Sequence, residues 1–437
     1  MKYKTKPPLG FSGLILAALW GFWSCSEAIA ATAFSQTLFE RTRPSVVEVL
    51  TKNKGNQGIA AAASGFLAHR QNLIVTNYHA VTEAIYEPKE NELSIVTQGK
   101  ERLAAQVIAV DVQHDLALLQ LERPLSAPPL SLRETVPAKG ESGFSMGKPG
   151  QYAHSIVGGT FNGVIDEDST PQIIFSGAIN PGMSGGPTMD AQGLVVGVNV
   201  ATSTENQLLG LAVPAQALGK LIRSTDAKPP LDNAALRKAI SAQFALFGAQ
   251  QANRLKDLKQ KTRSLGPFTV QGDLSEDKEC NSISHDRPQK RLKMQEQRCR
   301  SAYGLYIMPK LYAGQIVTGS FWMQGKELSR LNLAHQIEMR IHELRKVYDD
   351  ESPPGKWSCA EQRLRGHGEV PVQLHACSRP IEKLPGLYDY RFRYTPLIEG
   401  NDALVVAVGL SGFDPDTARQ VLQNSIASMR TPTVGQK

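Results

Sequence analysis

The sequence predicts an all-β sandwich or barrel in its first half and an α+β domain in its second half. The first half repeats short runs rich in Val and Ile that are bounded by Gly, Asn, Asp or Pro, such as SVVEVLT, NLIVTNY, LALLQL and GLVVGVNVAT. Regular short strands separated by turns are typical of sandwiches and barrels. The second half mixes such runs with helical stretches. At 437 residues the chain is long enough for two or three domains, and its 41% hydrophobic and 20% charged residues are typical of globular proteins.

The first 33 residues have the pattern of a secretory signal peptide. Lysines open the segment, an apolar run extends from Leu9 to Trp23, and small residues follow it. A basic start, a short apolar core and A-x-A sites together describe such a peptide. The alternative is an uncleaved membrane anchor, but this run is short for a span of ~20 residues. We therefore expect a periplasmic or secreted protein with no membrane span after removal of the signal.

Three segments are expected after the signal. Residues 34–224 hold the short strands, residues 225–266 form a helical linker that begins with a polar, Pro-bearing joint, and residues 267–437 form the α+β domain. Gly248 should bend or divide the linker helix. In the last segment, one helix from about Leu328 to Tyr348 and a closing helix capped by Asp414 should cover one face of a sheet.

Cysteine usage agrees with export. Cys25 belongs to the signal, and the four remaining cysteines all lie in the C-terminal half. An even number in an exported chain indicates two disulfides. A four-thiolate zinc site is the alternative, but no C-x-x-C spacing supports it, so we expect neither a metal nor a cofactor. Of the three possible pairings we favour neighbours, Cys280 with Cys299 and Cys359 with Cys377.

Charge is divided unevenly between the two halves. Residues 34–222 carry 13 Lys and Arg against 17 Asp and Glu, whereas residues 223–437 carry 32 against 23. A solvated basic surface is the commoner cause of such an excess, and contact of the C-terminal domain with an anionic polymer or lipid of the envelope is the alternative. The basic runs RLKDLKQKTR and RPQKRLKMQEQRCR lack the interleaved aromatic residues of single-stranded nucleic-acid binders. We therefore expect no nucleic-acid partner.

Three residues of the first half are of the types that build a nucleophilic serine site. Ser184 lies among glycines in INPGMSGGP, which is also the pattern of an ordinary β-turn. A serine nucleophile needs a base to take its proton and a group that orients the base. His79 follows the run NLIVTNY and Asp115 precedes LALLQL, so both lie at strand edges. The chain order His, Asp, Ser is one of three known for such sites, although each residue alone is more typical of a turn or a surface.

Four motifs resemble one protease family. GFLAHRQNLIVTNYHAV, HDLALLQL, INPGMSGGP and LLGLAVPAQAL closely resemble trypsin-like serine proteases of the HtrA/Deg type over about residues 36–224. The resemblance implies a chymotrypsin-like double β-barrel, with His79 as general base, Asp115 as its orienting partner and Ser184 as nucleophile. The backbone N–H groups of Gly182 and Ser184 would form the oxyanion hole. The resemblance also implies polypeptide substrates and a homo-oligomer, which is a trimer in relatives.

Three features depart from the family's pattern. Met183 stands where the family usually has Asn. The segment from Thr51 to Ala60 is too short for the long regulatory loop that some relatives carry. No PDZ peptide-binding repeat is recognised after residue 224, where such proteases commonly have one or two.

Substrate preference is read from the segment before Ser184 and from two later runs. Ala178, six residues before the serine, stands where trypsins have the acidic base of their P1 pocket, and no charge is offered here to pair with Lys or Arg. We expect a shallow apolar pocket for Val, Ala or a similar P1 residue, with the substrate held as an added β-strand. Its walls should come from Val200, Ala201, Thr202, Gly210 and Ala212.

The leading functional hypothesis is an exported serine endopeptidase, a hydrolase that cleaves peptide bonds of unfolded or envelope proteins through an acyl-enzyme. The alternative is a protease fold without catalysis that serves as a binding or chaperone-like sensor, and Met183 is its best support. A recognition or regulatory role is the default expectation for residues 267–437.

Overall fold

The computed structural model describes most of the chain after its first 34 residues. It covers residues 35–165, 170–202, 209–226, 231–257, 262–271, 278–287, 291–301, 304–309, 311–325, 328–349, 356–398 and 400–431. The predicted signal peptide, residues 1–33, lies outside this part of the chain. Within it, no helix combines the length and apolarity that crossing a membrane requires.

A first closed barrel follows helix α1, residues 35–42. Its six antiparallel strands are β1 (Val46–Asn53), β2 (Ile59–Leu67), β3 (Leu73–Thr76), β4 (Asn91–Val96), β5 (Arg102–Asp111) and β6 (Leu116–Leu121). Their order around the barrel is β1-β2-β3-β6-β5-β4. The short helix α2 (Thr82–Tyr86) lies between β3 and β4. Because neighbouring strands pair all the way round, the barrel has no open edge.

A second closed barrel repeats this architecture. Its strands are β7 (Ser142–Gly147), β8 (Ser155–Ile165), β9 (Gln172–Phe175), β10 (Pro187–Asp190), β11 (Val195–Thr202) and β12 (Gly210–Pro214). The order around the barrel is β10-β11-β12-β9-β8-β7, and helix α3 (Ala215–Asp226) follows it. Two six-stranded antiparallel barrels in succession are the chymotrypsin fold, so the predicted fold class of the first half is confirmed.

Helix α4 (Asn233–Asp257) leads to the C-terminal domain. Gly248 was expected to bend or divide this helix; the helix is not divided there, because it is continuous through residue 248. A Cβ at Gly248 would lie 3.2 Å from the ring of Phe413. The glycine therefore permits close packing of the helix on the sheet instead of ending the helix.

The C-terminal domain is built on one seven-stranded antiparallel sheet. Two hairpins accompany the sheet, β13 (Thr262–Leu265) with β14 (Phe268–Gln271) and β17 (Leu305–Met308) with β18 (Leu311–Ala313). The sheet strands are β15 (Lys278–Arg287), β16 (Leu292–Ser301), β19 (Gln315–Gly325), β20 (Ser358–Arg365), β21 (Pro371–Pro380), β22 (Tyr388–Pro396) and β23 (Asp402–Phe413). Their order in the sheet is β15-β16-β19-β23-β22-β21-β20.

The two predicted helices of this domain are α5 (Arg330–Asp349) and α6 (Pro415–Ser428), but they do not share a face of the sheet. Leu333 of α5 packs with Phe321 and Val405, whereas α6 packs in a separate cluster that holds Leu404. Neighbouring residues of a strand point to opposite faces, so the helices cover opposite sides. The prediction of one covered face was wrong because β23 is apolar on both of its faces. Asp414 does cap α6, since its side chain accepts from the N–H groups of residues 416 and 417.

Both edge strands of the sheet are joined to their neighbours by disulfides. Cys280 of β15 bonds to Cys299 of β16, and Cys359 of β20 bonds to Cys377 of β21. These are the neighbour pairings, and the sulfurs are bonded to each other and not held as free thiolates for zinc. The basic run RPQKRLKMQEQRCR was interpreted as part of a solvated basic surface. Most of it lies in strand β16, which pairs with β15.

The C-terminal half packs directly against the first barrel. Phe244 of α4 and Ile307 of β17 belong to the same buried apolar cluster as Tyr78 and Ile85 of the barrel. Gln243 of α4 also pairs with backbone groups at the end of β5. The hairpin β17–β18 is thereby held beside the barrel loop that follows β3.

Candidate active site

His79 and Asp115 lie on adjacent loops of the first barrel. His79 follows β3 and Asp115 precedes β6, and these two strands are hydrogen-bonded neighbours. Asp115 has a φ of 53°, a left-handed conformation that aspartate tolerates. Its backbone carbonyl accepts hydrogen bonds from the N–H of Tyr78 (3.1 Å) and from the side-chain amide of Asn77 (2.9 Å). The loop is therefore held so that the carboxylate points to His79.

The carboxylate of Asp115 binds His79 through both oxygens. Oδ2 accepts from Nδ1 of the imidazole at 2.6 Å, and Oδ1 accepts from the backbone N–H of His79 at 2.9 Å. Because an ionised carboxylate only accepts, Nδ1 carries the proton and Nε2 is left as the basic nitrogen. This is the tautomer that a general base requires.

The pKa of His79 lies above its ordinary value. Burial, the largest single influence, disfavours the imidazolium and lowers the pKa. The negative charge of Asp115 and its hydrogen bond raise the pKa, Glu83 adds to that rise, and together they outweigh burial. The protonated imidazole is thus stabilised by two carboxylates.

Ser184 lies in the loop between β9 and β10, where two glycines allow the chain to turn closely. Gly182 has a φ of 94° and Gly185 a φ of 83°. A Cβ on Gly182 would lie 2.6 Å from the carbonyl oxygen of Lys148, and one on Gly185 would lie 2.2 Å from the carbonyl oxygen of Ser64. Both positions therefore require glycine. Close packing of Gly185 on Ser64 brings the serine loop against the barrel that carries His79.

The hydroxyl of Ser184 has a backbone partner in this structure. It donates to the carbonyl of Val200 on β11 at 2.7 Å. Within the described residues, nothing accepts a hydrogen bond from the backbone N–H of Gly182 or of Ser184.

Ser64 is a residue of this site that sequence reasoning missed. It is fully buried on β2, where its hydroxyl donates to the carbonyl of Gly182 (2.7 Å) and accepts from the N–H of Lys148 (2.8 Å). Its own N–H donates to the carbonyl of Ser184 (2.8 Å). The signal available in the sequence was one hydroxyl in the otherwise apolar run AAAASGFL. Ser64 holds the serine loop by two carbonyls, one on each side of Met183.

Met183, which departs from the family's pattern, is fully buried. It packs with Phe161, Phe175 and Ile179 in the interior of the second barrel. Its carbonyl accepts from the side-chain amide of Asn199 at 3.1 Å. The thioether thus faces the core, while the backbone at Met183 is held by a buried amide.

The stretch of residues 63–198 matches the family described as the trypsin-like peptidase domain. It runs from β2 to β11 and includes His79, Asp115 and Ser184. The chain contains a trypsin-like peptidase domain.

The peptidase domain has HtrA- and DegP-like serine proteases as homologues. The chain is 27% identical to "Protease Do-like 1, chloroplastic" of Arabidopsis thaliana over 207 residues, 42% of this chain and 46% of that protein. It is 30% identical to "Protease Do-like 5, chloroplastic" of the same plant over 195 residues, 38% of this chain and 60% of that protein. It is 31% identical to a "Probable periplasmic serine endoprotease DegP-like" of Hahella chejuensis over 153 residues, 34% of this chain and 31% of that protein. The chain therefore spans less than two thirds of the length of these relatives.

The predicted pocket residues of the peptidase domain lie on β11, on β12 and in the segment before the serine loop. Ala178 is partly buried beside Ile179, and a Cβ on Gly210 would lie 2.4 Å from the Ile179 side chain. Val200 is partly buried on β11. Ala212 is fully buried in the cluster with Phe161 and so faces the barrel interior. The side chains of Ala201 and Thr202 lie outside the described residues, although their backbone pairs with β12.

Proposed function

We propose that this chain is a serine endopeptidase that uses Ser184 as nucleophile, His79 as general base and Asp115 as the orienting carboxylate. The observation that carries the proposal is the pair of hydrogen bonds from His79 to Asp115, which leaves Nε2 of the imidazole as the basic nitrogen. The serine loop packs on the same barrel through Ser64. Acyl transfer needs a base in this tautomer within reach of the serine, and the packing of the serine loop on the barrel that carries His79 supports that arrangement.

The reaction proceeds in two halves. Nε2 of His79 takes the proton of the Ser184 hydroxyl as Oγ attacks the scissile carbonyl carbon, and the carbonyl oxygen becomes an oxyanion. His79 then gives that proton to the amide nitrogen, the C–N bond breaks, and an ester to Ser184 remains. Water, deprotonated by His79, hydrolyses the ester and restores the hydroxyl. Asp115 stabilises the imidazolium in both halves without taking its proton.

The oxyanion would be bound by the N–H groups of Gly182 and Ser184. Both groups lack an acceptor within the described part of the chain, and the loop that carries them is held from outside by Ser64 and Asn199. Donors fixed before the reaction stabilise charge without reorganisation when that charge develops.

The substrates we propose are unfolded or envelope proteins with Val, Ala or a similar residue at P1. Ala178 and Val200 offer apolar surface near the serine loop and no charge. Two disulfides are typical of an oxidising compartment. We therefore place the activity outside the cytoplasm, in the periplasm or in the secreted fraction.

A protease fold without catalysis, serving as a binding sensor, is the second candidate. One observation favours it: the Ser184 hydroxyl donates to the carbonyl of Val200. In the endopeptidase this bond must break, and the hydroxyl must rotate to Nε2 of His79 when substrate binds.

Cleavage of short fluorogenic peptides tests the proposal. We expect turnover of peptides with Val or Ala at P1, slower turnover of matched peptides with Arg, and a loss of roughly 10⁴- to 10⁶-fold in Ser184→Ala. Faster cleavage after Arg would contradict the proposed pocket. Binding of the same peptides without cleavage would favour the sensor.

A further inference from the structure

An aromatic side chain of the C-terminal domain lies against the imidazole of His79. The ring of Tyr306, on β17, meets that of His79 edge to face, with centroids 6.1 Å apart and planes at 80°. These residues are separated by more than two hundred positions in the chain. The C-terminal domain therefore contributes directly to the surroundings of the candidate active site.

The position of Tyr306 is set by the alternation of its hairpin. Leu305 and Ile307 are buried in the cluster shared with the first barrel, whereas Tyr306 and Met308 are only partly buried. Successive residues of a strand point to opposite faces. Tyr306 and Met308 also pack against that cluster, so both faces of the hairpin contact it, and the face that carries Tyr306 reaches His79.

Tyr306 is held in place by its neighbours. Burial, followed by the negative charge of Glu83 of α2, raises the pKa of its hydroxyl to about 12. Across the hairpin, the ring of Tyr312 meets that of Tyr306 edge to face at 5.7 Å, and Tyr312 is 45% exposed. The rings of His79, Tyr306 and Tyr312 therefore follow one another from the site towards solvent.

We infer that Tyr306 and Tyr312 form a subsite of the peptidase that binds an apolar or aromatic substrate side chain next to the P1 residue. This inference rests on the proposed function. His79 must lie beside the scissile bond to hand a proton to its nitrogen, so a ring in contact with His79 lies within one residue of that bond. In an extended substrate, neighbouring side chains point in opposite directions. When the P1 side chain enters the second barrel's pocket, its neighbour points towards the first barrel and these rings.

Paired peptides test the subsite. Each pair shares the P1 residue that the native protein cleaves best and differs only in one neighbour, Ala or Phe, before P1 in one series and after P1 in the other. Burial of a phenylalanine side chain corresponds to about tenfold or more in kcat/KM. We expect the native protein to prefer Phe by that factor in one of the two series.

The variants separate a subsite from a structural role. Tyr306→Phe should keep the preference, and Tyr306→Ala should reduce it to about threefold or less. Leu331→Ala, which truncates an 83% exposed apolar side chain of the same domain, should keep it. The readout is the ratio of kcat/KM within a pair, so a general loss of activity cancels. If Tyr306→Ala does not fold, Tyr312→Ala, at an exposed ring, must lower the same ratio.

Two results overturn the inference, and they differ. The subsite is contradicted if the native protein cleaves the Phe and Ala peptides of each pair with equal kcat/KM, or if the ratio is unchanged in Tyr306→Ala. Cleavage of the peptides would in that case still support the endopeptidase. Failure of the native protein to cleave any peptide sinks the proposed function and the subsite with it.

Discussion

The buried hydroxyl of Ser64 donates a 2.7 Å hydrogen bond to the carbonyl of Gly182, while the N–H of Ser64 donates to the carbonyl of Ser184 at 2.8 Å. One residue of the first barrel thus holds both ends of the segment that would supply the oxyanion donors. A peptide N–H shares a plane with the carbonyl of the preceding residue, so the N–H of Ser184 follows the carbonyl of Met183, which accepts from Asn199 at 3.1 Å. Ser64 binds the residues on both sides of Met183 and so restricts rotation of the segment that carries the proposed donors.

Ser64→Ala should lower kcat more than it raises KM. The change leaves the carbonyl of Gly182 and the N–H of Lys148 unpaired, which costs ~1–3 kcal/mol for each buried group and loosens the loop. We expect kcat to fall about 10- to 100-fold, since one oxyanion donor is worth roughly 10²- to 10³-fold. Steady-state kinetics on the best peptide measures both constants. Ser94→Ala, another buried serine of the first barrel, is the matched control, and an equal fall in both variants would refute the special role of Ser64.

The acid limb in a plot of kcat/KM against pH should lie at a higher pH than the ordinary pKa of histidine. Asp115 and Glu83 raise the pKa of His79, and only the neutral imidazole can accept a proton from Ser184. Activity should therefore fall, as the pH is lowered, at a pH above the ordinary histidine pKa of about 6.5. Measurement of kcat/KM against pH gives the midpoint.

Glu83→Gln should move this acid limb to lower pH. The substitution removes a negative charge that favours the imidazolium, so His79 stays neutral to a lower pH. Glu92→Gln removes the same charge from an exposed position of the same barrel and should leave the limb in place. A limb that does not move in Glu83→Gln, or that moves to higher pH, would show that Glu83 does not act on His79.

Two contacts that join α4 and the C-terminal domain to the first barrel should contribute unequally to the free energy of unfolding. The side chain of Gln243 accepts from the N–H of Val112 and donates to the carbonyl of Val110, both at 2.9 Å. Lys383 pairs with Glu87 at 2.9 Å, with each side chain about 30% exposed. Gln243→Ala leaves two backbone groups unpaired and should cost ~1–3 kcal/mol. Lys383→Met should cost less than ~1 kcal/mol because water screens the pair.

Urea unfolding monitored by intrinsic fluorescence gives the free energy of unfolding of each variant. A larger loss in Lys383→Met than in Gln243→Ala would mean that charge, and not the amide bridge, holds the interface.

The local elements of this fold could largely be predicted from the sequence. Val- and Ile-rich runs predicted the barrel strands because burial of one face imposes alternation that is visible within a few residues. The cap at Asp414 was predictable for the same reason, since an N-cap is decided within one turn. Strand β16 was not predicted from the basic run RPQKRLKMQEQRCR. Polar residues such as Lys and Gln alternate with its buried residues, so the composition resembled that of a charged surface.

Contacts between distant segments could not be predicted. His79, Asp115 and Ser184 were singled out by residue type, order and resemblance, but the bond from Ser184 to Val200 depends on a rotamer that no pattern records. Tyr306 lies beside His79 because its hairpin packs on the apolar cluster shared with the first barrel. Side chains that meet across domains leave no periodic signal.

Covalent labelling by a fluorophosphonate tests the central claim most directly, because only a serine activated by its neighbours reacts with it. Intact mass and peptide mapping of the full chain would locate the adduct. The account predicts one phosphonyl group per chain, bound to Ser184 and absent from Ser184→Ala. A folded native protein that stays unlabelled, or that carries the adduct on another residue, would contradict it.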